Sequence, residues 1–145
     1  DAAYLVIVPN VAPDVAPLKK NPVFLYAKDR FQKPNPFEPD IAVIIDEVFQ
    51  QKIYGLAAHA SQHFDWLPWT SGRLDEIPED EPSRLEYLEK RRTDTPDASI
   101  RECLKKWYGE EKSLGAKHAE AFEICEYGRR PGDQEILRLF PMLKQ

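Results

Sequence analysis

Ile41-Ala-Val-Ile-Ile45 runs directly into Asp46-Glu-Val-Phe-Gln-Gln-Lys-Ile-Tyr-Gly-Leu-Ala-Ala-His-Ala-Ser-Gln-His-Phe-Asp-Trp66-Leu-Pro-Trp69, and the reading of this junction decides the fold. The first five residues are apolar without alternation. That is how a strand covered on both faces looks, as in a parallel sheet with helices on each side. The remainder reads as one long helix with Asp46 as its N-cap. At about 100° per residue, Phe49, Ile53, Leu56, Ala60, Phe64 and Leu67 share an arc roughly 80° wide, the stripe a helix buries against a sheet. His59 lies just outside it, with Lys52, Gly55, Gln62, His63 and Trp66 within about 60° on the same side. The border of a buried face is where a polar side chain can be held and still reach a cleft. The expected fold class is therefore α/β, a partial Rossmann-like parallel sheet flanked by helices.

Outward from this junction the chain is punctuated by proline, 13 in 145 residues, well above the usual ~5%. Pro9 to Pro22 reads as a loop, and Val23-Phe-Leu-Tyr26 as a second short buried strand. Lys33-Pro-Asn-Pro-Phe-Glu-Pro39 excludes helix and central strand, because proline lacks a donor and pushes its predecessor into extended geometry. Pro68 ends the long helix. Residues 71–82, with Asp75-Glu-Ile-Pro-Glu-Asp-Glu-Pro82, form an exposed acidic loop, placed to act as a lid or as plain solvated surface. Ser83 to Arg92 and Asp97 to Tyr108 read as helices, the second started by Pro96-Asp97 and stopped by Gly109. Ala119 to Tyr127 alternates with period two yet contains good helix formers, so its own residues leave strand and helix open. A short helix from Pro131-Gly-Asp133 to Phe140 closes the chain.

Length and a composition of 42% hydrophobic and 31% charged residues suit one domain or less. A net charge of -5 and a pI near 5.3, with basic residues only in pairs such as Lys19-Lys20, Lys105-Lys106 and Arg129-Arg130, argue against nucleic acid or an anionic membrane as partner. Glu89-Lys-Arg-Arg92 reads as a solvated helix end. No apolar run approaches the roughly 20 residues of a membrane span, and no signal-peptide pattern is visible, which makes the expected compartment cytoplasmic. Cys103 and Cys125 read as a buried thiol and a strand thiol in a reducing compartment.

Several groups are candidates for chemistry. His59 and His63 have the i, i+4 spacing of metal-binding histidines, but Ala60 stands where a metalloprotease helix carries its general-base Glu. Asp65 points elsewhere and His118 belongs to another segment, so the residues contain no metal site. Asp29 and Asp46 sit at strand ends, where ligand-facing residues gather in open α/β sheets. Asp29-Arg30-Phe31 suits a polyhydroxyl substrate or, more plainly, a turn. Phe64, Trp66 and Trp69 suit a sugar platform or, in the favoured reading, a hydrophobic plug closing the helix. No Gly-rich phosphate loop, nucleophile elbow or Ser/His/Asp spacing is present, and Ser61 has no paired base.

Lys52-x6-His59-x-Ser61-Gln62 resembles the helix in the C-terminal half of the LmbE-like (PIG-L) N-deacetylases. Asp1-Ala-Ala-Tyr-Leu-Val, Lys20-Asn-Pro-Val-Phe-Leu-Tyr26, Pro34-x-Pro-Phe-x-Pro-Asp40, Trp66-Leu-Pro-Trp69 and Ala119-Glu-Ala-Phe-Glu-Ile-Cys-Glu-Tyr-Gly-Arg129 are similar to segments of bacterial members, in the same order. The family's His-Pro-Asp-Asp-Glu-type loop and His-x-x-His-type segment, which hold zinc, do not occur. Asp1 is not an initiator and the only methionine is Met142, so residues 1–145 read as a single piece of a larger domain, with Asp1 to Val8 as the tail of a helix and the catalytic half missing. The resemblance implies a strand at Ala119 to Tyr127. It implies a zinc-dependent hydrolase removing an acetyl group from an N-acetylated amino sugar, such as N-acetylglucosamine, or its conjugate, with zinc in the intact enzyme and none on this chain alone. His59, Gln62 and Lys52 would support the zinc cleft from behind the ligands, and Asp29 and Arg30 would face substrate. The sheet would need the missing N-terminal half, or a second copy in a homo-oligomer, to cover an exposed apolar patch or an unpaired strand edge. The alternative is a non-catalytic α/β interaction or scaffold domain.

Overall fold

A computed structural model describes residues 2–29, 34–92 and 94–144. Its strands are β1 (Leu25–Ala27), β2 (Ile41–Ile44) and β3 (Ala119–Ile124), and its helices α1 (Ala2–Leu5), α2 (Phe49–Ala57), α3 (Leu67–Thr70), α4 (Glu81–Arg91), α5 (Ala98–Tyr108), α6 (Glu110–Gly115) and α7 (Asp133–Leu139). The chain divides into two compact units, residues 1–44 with 96–145, and residues 45–95. Among the described residues no helix is long and apolar enough to cross a membrane.

The first unit is built on β3. It lies between β1 and β2 and runs antiparallel to both, with Leu25 opposite Ile124, Ile41 opposite Phe122 and Ile44 opposite Ala119. The register sends alternate residues to opposite faces. On one face Ala42, Ala119 and Ala121 pack against Ile100, Cys103 and Leu104 of α5 and against Ala116. On the other, Ile41 and Ile124 pack against Ile136 of α7 and Leu143, with Leu25, Val43, Phe122 and Phe140 around them. The unbroken apolar run at Ile41 thus does report a strand covered on both faces.

It does not report a parallel sheet, and the Rossmann-like expectation is corrected: the fold is mixed α/β with a small three-stranded antiparallel sheet. Absence of alternation records helices above and below a strand, whatever the direction of its neighbours. β1 and β2 do point the same way, but β3 separates them. The helix layers come from the unit itself, whereas β1 and β2 each have one strand partner among the described residues. The expected unpaired edge is present. Apolar side chains of the N-terminal segment, among them Tyr4, Val11 and Val15, are also exposed.

The β1–β3 pairing continues beyond the regular strands. The Cys125 amide donates to the Phe24 carbonyl at 2.9 Å, the Arg129 amide to the Pro22 carbonyl at 2.9 Å, and Asn21 Nδ2 to the Tyr127 carbonyl at 3.1 Å. Gly128 permits this approach, since a Cβ there would stand 2.9 Å from the Pro22 carbonyl oxygen and 2.9 Å from the Phe24 ring.

The second unit departs from the single helix read from its sequence. A 3-10 turn, Asp46–Val48, precedes α2, and Ile45 rather than Asp46 stands at its N-cap, without a side-chain cap bond. After α2 the chain winds into a π turn, Ser61–Trp66, and then into α3, so helical structure passes through Pro68 to Thr70. The wider π turn resets the angular period. Phe49, Ile53 and Phe64 of the expected stripe are buried and Leu56 is half-buried, but Ala60 and Leu67 are exposed. α4 packs on α2. It starts at Asp80, whose carboxylate accepts the Ser83 amide at 3.0 Å.

Candidate functional site

A cleft of about 950 Å³ opens in the first unit beside β1. Leu25, Tyr26 and Ala27 form one wall, Pro34 to Glu38 with Asp40 another, and Glu123, Ile124, Glu126 and Arg130 a third. Asp29 lines it as well, just past the end of β1 as its strand-end position suggested, while Arg30 lies outside the described residues. The walls come from segments about 100 residues apart. β3 unites them by pairing with both other strands.

The polar groups of the cleft are largely anchored. Asp40 accepts the Ile124 amide at 2.7 Å through its side chain, and its carbonyl accepts the indole N–H of Trp107 at 3.0 Å. Glu123 accepts the Glu38 amide at 3.3 Å. The Tyr26 hydroxyl donates to Glu126 at 3.2 Å and accepts from the Cys125 thiol at 3.1 Å. The neighbouring Cys125 sulfur, then burial and the negative Glu126, raise the pKa of the phenol above its ordinary value. Asp29, Glu38, Asp40, Glu123 and Glu126 face Arg130 as the cleft's one cation among its described lining residues. Such a surface accepts hydrogen bonds from vicinal hydroxyls or an ammonium group, and Tyr26 and Phe37 add ring faces.

The residues singled out on the helix belong to the second unit. His59 and Gln62 are exposed. Lys52 is half-buried and pairs with Asp94 at 3.1 Å, and Asp94 also receives two hydrogen bonds from Arg92, at 2.9 and 3.0 Å. Burial alone would push the Asp94 carboxyl up, but the bonds from Arg92 and Lys52 outweigh it and hold it below the usual carboxylate range. Lys52 therefore anchors the unit. His63, not His59, is the half-buried histidine, and burial, then the charges of Arg92 and His59, lower its pKa. Of the aromatics in the plug reading Phe64 is buried, beside Pro68, whereas Trp66 and Trp69 are 54% and 68% exposed and take no part in it.

A second cavity, of about 390 Å³, lies within the second unit. Its lining includes His63, Arg73, Arg91 and Arg92, so the run Glu89 to Arg92, a helix end exposed from Glu89 to Arg91 as read, also borders a concavity. Clustered arginines at the end of α4 and after Gly72 were the available signal. Only the fold shows that they converge. Among the described residues no group of three or more His, Cys, Asp or Glu is arranged to hold a metal ion.

The chain matches no protein-family model, no curated protein and no solved structure.

Proposed function

We propose that this chain is the substrate-binding, C-terminal portion of a zinc-dependent, cytoplasmic N-deacetylase, resembling the LmbE-like (PIG-L) family and acting on an N-acetylated amino sugar or its conjugate. One observation carries this reading. Three of the segments that resemble the family, Lys20 to Tyr26, Pro34 to Asp40 and Ala119 to Arg129, are distant in sequence yet line a single cleft. Within the cleft the carboxylates accept hydrogen bonds from the hydroxyls of the sugar, and the Phe37 ring offers a face to the pyranose.

The described residues do not fit a zinc site, since His59 and His63 gather no third ligand. No step of the reaction is assigned to a metal here; this chain binds and orients. Metal analysis of the purified chain should find no stoichiometric zinc. One tightly held zinc per chain would contradict this assignment of roles.

The deciding experiment reads the gene upstream of Asp1 for a His-Pro-Asp-Asp-Glu segment and assays the intact protein for acetate release from N-acetylglucosamine conjugates. Asp29→Ala should raise KM at least about tenfold. Absence of the segment, or kinetics untouched by Asp29→Ala, would remove the deacetylase reading. A non-catalytic α/β interaction or scaffold domain is the second reading, favoured by the fact that both sheet faces are covered from within one unit.

A further inference from the structure

The 390 Å³ cavity of the second unit is of a size that takes small molecules. Three guanidinium groups border it, and the surroundings fix each of them. Arg73 follows Gly72, whose φ of +66° suits glycine, and its amide donates to the Pro68 carbonyl at 2.8 Å. Its Nη2 donates to Ser71 Oγ at 2.9 Å, and that hydroxyl donates in turn to the Leu67 carbonyl at 2.6 Å. Arg91 lies over the Tyr87 ring, 5.3 Å from its centroid, with Glu76 at a loose 3.6 Å. Arg92 is oriented by the two bonds to Asp94.

One atom is out of balance. Arg73 Nε is buried and has no hydrogen-bond partner among the described residues. Leaving a buried charged donor without a partner is costly. The lining is basic as well: Arg73, Arg91 and Arg92 stand on it, and no carboxylate is among its described lining residues. A carboxylate ligand needs one bidentate arginine, whereas several converging guanidinium groups match the larger charge and the separate oxygens of a phosphoryl group. Leu67, Tyr87 and Leu88 supply an apolar wall that an inorganic anion would not use.

We propose that this cavity binds the phosphoryl group of a small phosphomonoester, held by Arg73 with Arg91 and Arg92, its organic part resting on Leu67 and Tyr87. Ser71 is a positioning residue, acting through Arg73. The assignment is independent of the deacetylase reading.

The test is isothermal titration of the full chain with inorganic phosphate and with phenyl phosphate, at constant ionic strength. Phenyl phosphate should saturate at millimolar or lower concentration and bind at least about fivefold more tightly than phosphate. Arg73→Gln should weaken it at least about tenfold with the far-ultraviolet circular dichroism unchanged, and Arg73→Lys should recover part of the loss. Should Arg73→Gln fail to fold, nitrogen-15 NMR of the unaltered chain replaces it: phenyl phosphate must then shift the Gly72 and Arg73 amides and the Arg73 Nε–H signal. Equal affinity for the two probes would overturn the phosphomonoester assignment. So would the absence of saturation at about 10 mM, unaltered binding by a folded Arg73→Gln, or shifts confined to other residues.

Discussion

The two units solve the same problem with different connectivity. The first joins residues about 100 positions apart through β3 and closes two apolar clusters, one on each sheet face. The second is assembled from nearer neighbours in sequence, α2 on α4 with the π turn, α3 and a 3-10 turn between. Their concavities have opposite sign, carboxylate-rich beside β1 and arginine-rich beside α4. Sequence-wide charge, -5 in total, describes neither. A net charge that argues against one class of partner for the whole chain leaves room for a local patch that binds that chemistry in small form.

The sharpest probe of the first unit is Leu104→Ala. Leu104 is fully buried beneath Ala42 and Ala119, and its removal should cost about 2–5 kcal/mol, read by urea denaturation. A loss below 1 kcal/mol would mean that the α5 face collapses readily and that the long-range core is not what holds this unit. Gly128→Ala comes next. The new methyl would press on backbone atoms of Pro22 and Phe24, and about 1–3 kcal/mol should be lost as the two segments separate. An unchanged melting temperature would show that residues 21–24 are not tied to the end of β3.

Asp97→Ala tests the start of α5. The carboxylate accepts the Ile100 amide at 3.0 Å and pairs with Lys28 at 2.7 Å, and loss of such a cap costs about 1 kcal/mol. Burial would raise the Asp97 pKa, but bonds from Lys28, Ile100 and Ser99 prevail and bring it to about 2. Its folded value is therefore below the unfolded value of about 3.9. The stabilisation is fully present above the unfolded value and is lost as pH falls through the folded one. Asp97→Asn should flatten the stability profile between about pH 5 and pH 2; an identical acid slope would discount the interaction.

The smallest effect belongs to the second unit. With its pKa lowered, His63 is protonated more readily unfolded than folded, so the unfolded state binds the proton first and stability declines as pH drops below about 6.5. His63→Gln should remove that part of the slope, measured by denaturant titration at a series of pH values. Persistence of the slope would place it on another group.

Much of the first unit was legible because its signals are local. Asp97 announces α5 and Gly109, at φ +83°, ends it; at Ala119 the alternation left strand and helix open, and β3 was expected there from the resemblance; Asp29 was read at a strand end and lines a cleft. Strand direction was not legible. The apolar run Ile41 to Ile45 carries the burial of its two faces but nothing about the chain beside it, and the antiparallel insertion of β3 depends on pairings across 80 residues. In the second unit the stripe from Phe49 to Leu67 presumed a constant 100° step, and the π turn at Ser61 broke it. That moved His63 rather than His59 into the half-buried position.

What the sequence by itself determined, then, is the bounds of α5 and the strand at Ile41 that is buried on both faces, because a cap and a glycine stop act over a few residues and an apolar run records its own burial. The tertiary structure alone decided strand order and direction, the gathering of Lys20 to Tyr26, Pro34 to Asp40 and Ala119 to Arg129 around one cleft, and the convergence of Arg73, Arg91 and Arg92 on another. Each of these depends on which distant surfaces exclude water together, and that is a property of the packed chain rather than of any window within it.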